Sequence, residues 1–127
     1  IIIMCSAVAD YTPSSYCDQK MKKKDSDLSI PLSRTQDILK YLGEHKSGNQ
    51  LLIGFSMETE NLIANSREKL TKKNADMICA NSICGNETGF AVDTNRVTLI
   101  THDDVKELPL CSKEDTADLI LDKATSL

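Results

Sequence analysis

The sequence predicts an α/β fold, a Rossmann-like three-layer sandwich with a mainly parallel sheet. Short apolar runs typical of buried strands begin at Ile1, Leu51 and Met77. Segments with helical periodicity separate these runs, and strands that alternate with helices indicate parallel pairing. A length of 127 residues suffices for one domain with a real core but not for two. We therefore expect residues 1–127 to form one domain or part of one.

The first predicted strand covers residues 1–4, whose continuous Ile-Ile-Ile-Met run fits a strand buried on both faces of a sheet. The run begins in mid-strand, without a methionine and without the basic region that opens a signal peptide. We therefore expect that this sequence lacks the N-terminal part of the fold.

The next segment predicts a flexible basic flap over residues 11–27. It contains Pro, Ser, Asp and Lys with almost no apolar periodicity, and loops of this length inside compact domains are usually functional. Alternating residues over 28–32 then predict a short strand, which Pro31 would keep at a sheet edge. A helix is predicted over residues 36–44, where Gly43 indicates a stop.

The second half of the chain continues the alternation of strands and helices. The predicted strands cover residues 50–55, 75–81 and 96–101, the predicted helices cover residues 58–72 and 112–121, and residues 85–89 are a predicted loop. Ser112 is the predicted N-cap of the last helix. The inner face of that helix is predicted to consist of Ala117, Ile120, Leu121 and Ala124.

Composition excludes several classes of function. Lysine and arginine total 15 against 19 acidic residues, and the resulting net charge of -4 argues against nucleic-acid binding. No apolar run approaches the roughly 20 residues of a membrane span. We therefore expect a cytoplasmic protein that contacts neither nucleic acid nor membrane.

The five cysteines form an odd set without the close paired spacing of a zinc site. Reduced thiols are the simplest interpretation, and we assign no metal ligands. Cys5 and Cys79 lie in apolar strand patterns, where a free cysteine behaves as a small hydrophobe. A cysteine-based redox or metal protein is the alternative, and it would require a bound metal or a thiol pair.

The exit of the first strand combines an acidic turn with a basic run. Ligands of open parallel sheets bind beyond the carboxyl ends of the strands, so Asp10 could hold a ribose hydroxyl or a metal. Lys20, Lys22, Lys23 and Lys24 then place four positive charges in five positions. Together they suggest a phosphate-bearing ligand. The alternatives are an Asx turn or helix cap for Asp10 and a solvated loop for the lysines.

Three further residues have both a binding and a structural interpretation. Lys69 and Lys73 are four positions apart on the predicted helix, so they could converge on one polyphosphate, or merely complement the helix dipole. Phe55 leaves a buried strand after a glycine, where its ring could contact a nucleobase or fill the core.

Six short motifs occur in one order along the chain: SAVADY, QKMKKK, RTQDIL, GFSMET, EKLTKKN and MICAN. In this order and spacing the sequence resembles the phosphopantothenate–cysteine ligase family, from about residue 1 to the C-terminus. Family members have a preceding segment with a Gly-rich phosphate loop and an asparagine that engages the acyl-cytidylate, and this sequence contains neither. The opposite phosphate-binding wall should therefore lie before Ile1.

The resemblance implies a nucleotide site and one catalytic residue. The implied nucleotide contacts are Met4, Cys5, Ser6, Asp10, Lys20, Gln36, Asp37, Ile38, Leu39, Phe55, Lys69 and Lys73. Lys20 is also the implied catalytic residue, which assists attack of the cysteine amine. The sequence departs from the family at Arg34, usually lysine, at Gln36, usually proline, and at Ser6, commonly alanine. Since the family's contacts at the helix start are largely through backbone, these changes alter the expectation little.

The resemblance also implies the reaction and its partners. The family uses CTP and Mg²⁺ to activate 4'-phosphopantothenate as an acyl-cytidylate, and L-cysteine then displaces CMP to form the amide in coenzyme A biosynthesis. Family members are usually homodimers, and bacteria often fuse them to a phosphopantothenoylcysteine decarboxylase. The alternative is a non-catalytic nucleotide-binding or assembly module that retains the fold.

Overall fold

The computed structural model describes residues 1–22, 25–82 and 93–127, which form two compact units. The larger unit comprises Ile1–Cys5 and Ile38–Leu127, and the smaller unit comprises Ser6–Asp37. Each unit has its own sheet. The loop predicted over residues 85–89 lies outside the described residues.

The larger unit contains a five-stranded sheet in the order β1-β4-β5-β7-β8. In chain order the strands are β1 (Ile2–Met4), β2 (Tyr11–Pro13), β3 (Leu32–Arg34), β4 (Leu52–Glu58), β5 (Met77–Ser82), β6 (Thr94–Asn95), β7 (Val97–Thr101), β8 (Val105–Glu107) and β9 (Cys111–Ser112). β4 is parallel to both β1 and β5, whereas β7 is antiparallel to β5 and to β8. Since only β7 runs against the others in this sheet, the predicted mainly parallel α/β class is confirmed.

Three helices cover the two faces of this sheet: α1 (Ile38–His45), α2 (Leu62–Lys72) and α3 (Lys113–Thr125). The α1 and α2 side holds a core of Leu52, Leu70, Ala75, Ile78, Ala80 and Ile100. The α3 side holds Ile53, Met77, Cys79, Val97, Leu99, Leu108, Ile120 and Ala124. Two separate apolar cores on opposite faces make the larger unit a three-layer sandwich, as predicted. None of the helices in the described ranges is long and apolar enough to cross a membrane.

Several predicted boundaries differ from the observed ones. β1 packs on both faces, but its side chains are only half-buried, because in the described chain it pairs only with β4. β4 continues to Glu58, where a helix was predicted to begin, since its last two residues still pair with β5. As a result α2 begins at Leu62. The predicted strand over residues 96–101 is present as β7 but runs antiparallel.

The N-cap of α3 is confirmed, but its predicted inner face is partly wrong. The Ser112 hydroxyl accepts a hydrogen bond from the backbone N–H of Asp115 at 3.0 Å. The buried residues of the helix are Thr116, Ile120 and Ala124. Because these lie four positions apart, they form one narrow stripe, and Ala117 and Leu121 fall one position outside it and are exposed.

The sequence predicts that α1 stops at Gly43, and this prediction is wrong. The helix runs two residues further to His45, and it begins at Ile38 rather than at residue 36. Gly43 is buried, and a Cβ atom there would collide with the backbone carbonyl of Lys73. The Asn74 amide donates a hydrogen bond to the Gly43 carbonyl at 2.7 Å. Glycine is therefore required because the chain at the end of α2 packs directly on α1.

The smaller unit is an exposed antiparallel pair of β2 and β3. The strand predicted over residues 28–32 is misplaced, because β3 begins only at Leu32. Pro31 has no N–H to donate to a neighbouring strand. Its carbonyl accepts hydrogen bonds from the backbone N–H and the hydroxyl of Ser14. The first residues of the predicted flap form β2, and its flexibility stays a prediction.

Burial of the Cys79 thiol should make the free energy of unfolding depend on pH in the alkaline range. Desolvation in the core raises the pKa of this thiol to about 12. Above about pH 9 the unfolded thiol loses a proton that the folded state keeps, so the free energy of unfolding should fall by about 1.4 kcal/mol per pH unit. Below pH 8 the effect should vanish. Urea unfolding between pH 7 and pH 10 measures the free energy of unfolding of the unchanged protein and of Cys79→Ala. If both free energies had the same pH dependence above pH 9, the buried thiol would not be the cause.

The two cysteines predicted to behave as hydrophobes differ in position. Cys79 is fully buried, as predicted. Cys5 is exposed, because it follows the last residue of β1 and lies outside the sheet. The prediction for Cys5 is therefore wrong.

Candidate functional site

The sequence-predicted contacts are divided between the two units. Met4, Cys5, Ile38, Leu39, Phe55, Lys69 and Lys73 belong to the larger unit, and Ser6, Asp10, Lys20, Gln36 and Asp37 belong to the smaller one.

In the smaller unit, the main chain around Asp10 is fixed by Thr35. The Thr35 backbone N–H donates to the Asp10 carbonyl at 3.0 Å, and the Thr35 hydroxyl donates to the Ala9 carbonyl at 2.6 Å. The carboxylate of Asp10 and the ammonium of Lys20 are on exposed residues. Backbone hydrogen bonds thus hold Asp10 in place while its side chain is accessible to a ligand.

In the larger unit, Lys69 lies beside a carboxylate at the end of β4. Its Nζ atom is 4.0 Å from Oε1 of Glu58, and the side chains are 33% and 19% exposed, respectively. The Asn65 amide donates to Oε2 of the same carboxylate at 3.1 Å, and to the Glu60 carbonyl at 3.1 Å. Glu58 thus contacts two residues on successive turns of α2 and places the lysine ammonium at the carboxyl end of the strand.

A buried hydroxyl pair fixes α2 on the sheet between these two turns. The Ser56 and Ser66 hydroxyls are 2.8 Å apart, and both residues are buried. Because each hydroxyl satisfies the other, the pair is stable away from water. Lys69, one turn further along α2, is therefore carried by a helix whose position over β4 is fixed.

Lys73 follows α2 rather than lying within it. The helix ends at Lys72, and the Lys73 backbone N–H donates to the Lys69 carbonyl at 2.9 Å as the helix closes. Its carbonyl faces Gly43 of α1. Lys73 is half-buried, as Lys69 is, so both predicted lysines are partly shielded from water.

Phe55 lies on the opposite face of the sheet from both lysines. Its half-buried ring packs against the core under α3, together with Ile3 and Leu119. β1 ends at Met4, which pairs with Gly54, so Phe55 is the first residue of β4 beyond that pairing. Core filling therefore accounts for one side of the ring, and the remainder is accessible near the end of β1.

The start of α1 combines core and exposed positions. Ile38 is 38% exposed, whereas Leu39 packs into the core on the α1 side. A Cβ atom at Gly54 would lie 2.7 Å from a methyl group of Leu39, so the glycine leaves the space that the leucine side chain occupies. Any ligand contact with Leu39 would thus be through its backbone. Gln36 and Asp37 precede the helix and are exposed.

Sequence patterns did not identify Glu58 as part of the site. The helix predicted over residues 58–72 includes it. The signal was nevertheless present, since Ser56, Met57 and Glu58 continue the alternation of a strand with one buried, one exposed and one half-buried residue. Among the described residues no group of three His, Cys, Asp or Glu side chains could hold a metal ion.

Fold and site together define a Rossmann-like three-layer α/β domain with polar residues at the carboxyl end of its parallel strands. The chain belongs to the family described as DNA/pantothenate metabolism flavoprotein C-terminal domain, whose pattern matches residues 1–127. The family resemblance inferred from the sequence motifs is thereby confirmed.

Known relatives and a solved structure agree with this membership. The coenzyme A biosynthesis bifunctional protein CoaBC of Bacillus subtilis (strain 168) is 46% identical over 128 residues, which is 100% of this chain and 31% of that protein. A cysteine/cysteine sulfinic acid decarboxylase from an unknown prokaryotic organism is 40% identical over 128 residues, or 100% of this chain and 36% of that protein.

The crystal structure of the C-terminal domain of a coenzyme A biosynthesis bifunctional protein CoaBC superposes with a TM-score of 0.72 at 39% identity. The similarity covers 97% of this chain and 53% of that one. This chain spans about a third of the length of the curated relatives it matches.

Proposed function

We propose that this chain is the nucleotide-binding part of a CTP-dependent phosphopantothenate–cysteine ligase that acts in coenzyme A biosynthesis. The observation that carries the proposal is the match of residues 1–127 to one family, together with 46% identity to a bifunctional coenzyme A biosynthesis protein. The half-buried Lys69 at the carboxyl end of β4 supports it, because a partly desolvated ammonium is a strong partner for phosphate oxygens.

In this proposal each of the two units supplies contacts to the nucleotide. Lys69 and Lys73 neutralise the phosphates, and Asp10 accepts a hydrogen bond from a ribose hydroxyl. Lys20 stabilises the charge that develops on the acyl-cytidylate as the amine of cysteine attacks and CMP leaves. Bound Mg²⁺ would neutralise charge on the pyrophosphate leaving group. The metal would be held mainly by phosphate oxygens of the nucleotide, because the described residues contain no group of three His, Cys, Asp or Glu side chains that could hold it.

We further propose a cytoplasmic homodimer with 4'-phosphopantothenate, L-cysteine and CTP as substrates. The bifunctional relatives suggest a decarboxylase fused to the ligase part. The alternative is a non-catalytic module that retains the fold and binds nucleotide without activating a carboxylate. Both the ligase and the non-catalytic module require nucleotide binding, so a binding measurement tests what they share. Only the ligase would also form product.

Replacement of Lys69 by glutamine should weaken CTP binding by about 10-fold, because a hydrogen bond between charged groups is lost at a partly shielded site. Lys72→Gln is the matched control on the same helix. Lys72 is 68% exposed and pairs with Glu68, whose carboxyl pKa it lowers by a hydrogen bond and by its charge. Calorimetric titration of both variants with CTP measures the effect.

The control variant should bind CTP within about two-fold of the unchanged protein, since exposed ion pairs contribute little. Equal affinities for the Lys69 and Lys72 variants would remove Lys69 from the nucleotide site. Absence of CTP binding by the longest protein that the reading frame encodes would reject the proposed function itself.

A further inference from the structure

Asn81 carries a buried polar atom without a hydrogen-bond partner among the described residues. The residue lies near the end of β5, paired with Met57 of β4 on one side and Val97 of β7 on the other. Its side-chain oxygen Oδ1 is shielded from solvent and accepts no hydrogen bond from residues 1–22, 25–82 or 93–127. Two other asparagines of the larger unit are satisfied, since the amides of Asn65 and Asn74 donate to the Glu58 carboxylate and the Gly43 carbonyl.

An unpaired buried oxygen is unfavourable for folding. Water would hydrogen-bond this oxygen in the unfolded chain, and in the folded state the described part of the chain supplies no replacement donor. An exchange of the oxygen and nitrogen positions of the amide would leave an unpaired group in the same place. The fold alone therefore does not explain an asparagine at this position, where leucine would fill the same volume without the penalty.

The position of Asn81 points to a ligand. Successive side chains of β5 alternate between the faces, so Asn81 lies on the same face as Cys79 and Phe55, which pair with each other across β4 and β5. It is two residues closer than Cys79 to the carboxyl ends of these parallel strands, the edge at which open α/β sheets bind ligands. Its partner Met57 is 49% exposed, so this edge is accessible.

We propose that Asn81 is a ligand-binding residue whose Oδ1 accepts a hydrogen bond from an amine of a bound substrate. The identity of the substrate rests on the proposed function, which offers two amines: the exocyclic amino group of the cytosine base and the amino group of the amino acid. In the first case Asn81 selects bases with an amino group over those with a carbonyl. In the second it orients the attacking nucleophile.

The test compares Asn81→Leu with Asn81→Asp in the longest protein that the reading frame encodes. Leucine removes the acceptor, and aspartate retains it. We expect Asn81→Leu to unfold at a urea concentration equal to or above that of the unchanged protein, because an unpaired group is lost. We expect the same variant to interact about 10-fold more weakly with either CTP or L-cysteine. Asn81→Asp should retain the interaction that Asn81→Leu loses.

The choice of ligand distinguishes the two amines. A loss of CTP affinity with unchanged UTP affinity assigns the contact to the base, and a raised KM for L-cysteine with unchanged CTP affinity assigns it to the amino acid. Equal losses for CTP and UTP, or no loss in any measurement, would overturn the role of Asn81. A clear loss of stability in Asn81→Leu would likewise show that the amide serves the fold. If the unchanged protein bound neither CTP nor cysteine, the proposed function would be wrong as well. Failure of the Asn81 role alone is therefore distinguishable from failure of the proposed function.

Discussion

Replacement of Lys20 by glutamine should slow amide formation by about 100-fold while an activated acyl-cytidylate accumulates. The glutamine side chain is of similar length but has no charge, so it cannot stabilise the charge that develops as the amine attacks and CMP departs. The first half-reaction depends more on the phosphate-binding residues and should continue. Pyrophosphate would therefore appear in a burst of about one equivalent per site, and amide would follow slowly.

Lys106→Gln is the control, because Lys106 is an exposed lysine of β8 that belongs to none of the candidate nucleotide contacts. Rapid quenching with labelled phosphopantothenate, followed by chromatography, separates the intermediate from the amide product. The control should form amide at nearly the unchanged rate. Amide formation by Lys20→Gln at the rate of the control would remove Lys20 from the mechanism.

Replacement of Gly43 by alanine should lower the free energy of unfolding by about 3 kcal/mol. The added methyl group would collide with the backbone carbonyl of Lys73, which cannot move aside as a flexible side chain can. Alanine in a helix gains about 1 kcal/mol over glycine, but this gain is smaller than the cost of separating α1 from the end of α2. Because Lys73 is displaced, CTP affinity should also fall.

Gly48→Ala provides the control for this change. A Cβ atom at Gly48 would meet no other atom within 4 Å. Its free energy of unfolding should therefore stay within about 0.5 kcal/mol of that of the unchanged protein. Urea unfolding of both variants measures the difference, and equal midpoints would mean that α1 does not pack on Lys73 as described.

Features determined by neighbouring residues could be predicted from the sequence. The cap at Ser112 depends on residues within one helical turn, and the apolar run that forms β5 is unambiguous. The alternation of strands and helices was sufficient to predict a three-layer α/β fold with mainly parallel strands. The motif order identified the family before any contact was known.

Features determined by distant residues could not be predicted. Gly43 resembles a helix stop in sequence, and only the approach of Lys73 from another helix explains it. The extension of β4 to Glu58 depends on pairing with β5, and the direction of β7 depends on how the chain returns to the sheet. The separation of Phe55 from Lys69 by the sheet also follows from register, which spacing along the chain does not reveal.

Pyrophosphate release decides whether this chain supplies the nucleotide-binding part of a CTP-dependent ligase. The longest protein that the reading frame encodes should be assayed with CTP and Mg²⁺, with phosphopantothenate present or absent. We predict release of pyrophosphate only when both substrates are present, and amide only after L-cysteine is added. Release of pyrophosphate from CTP alone, or no release under any of these conditions, would mean that the chain is not part of such a ligase.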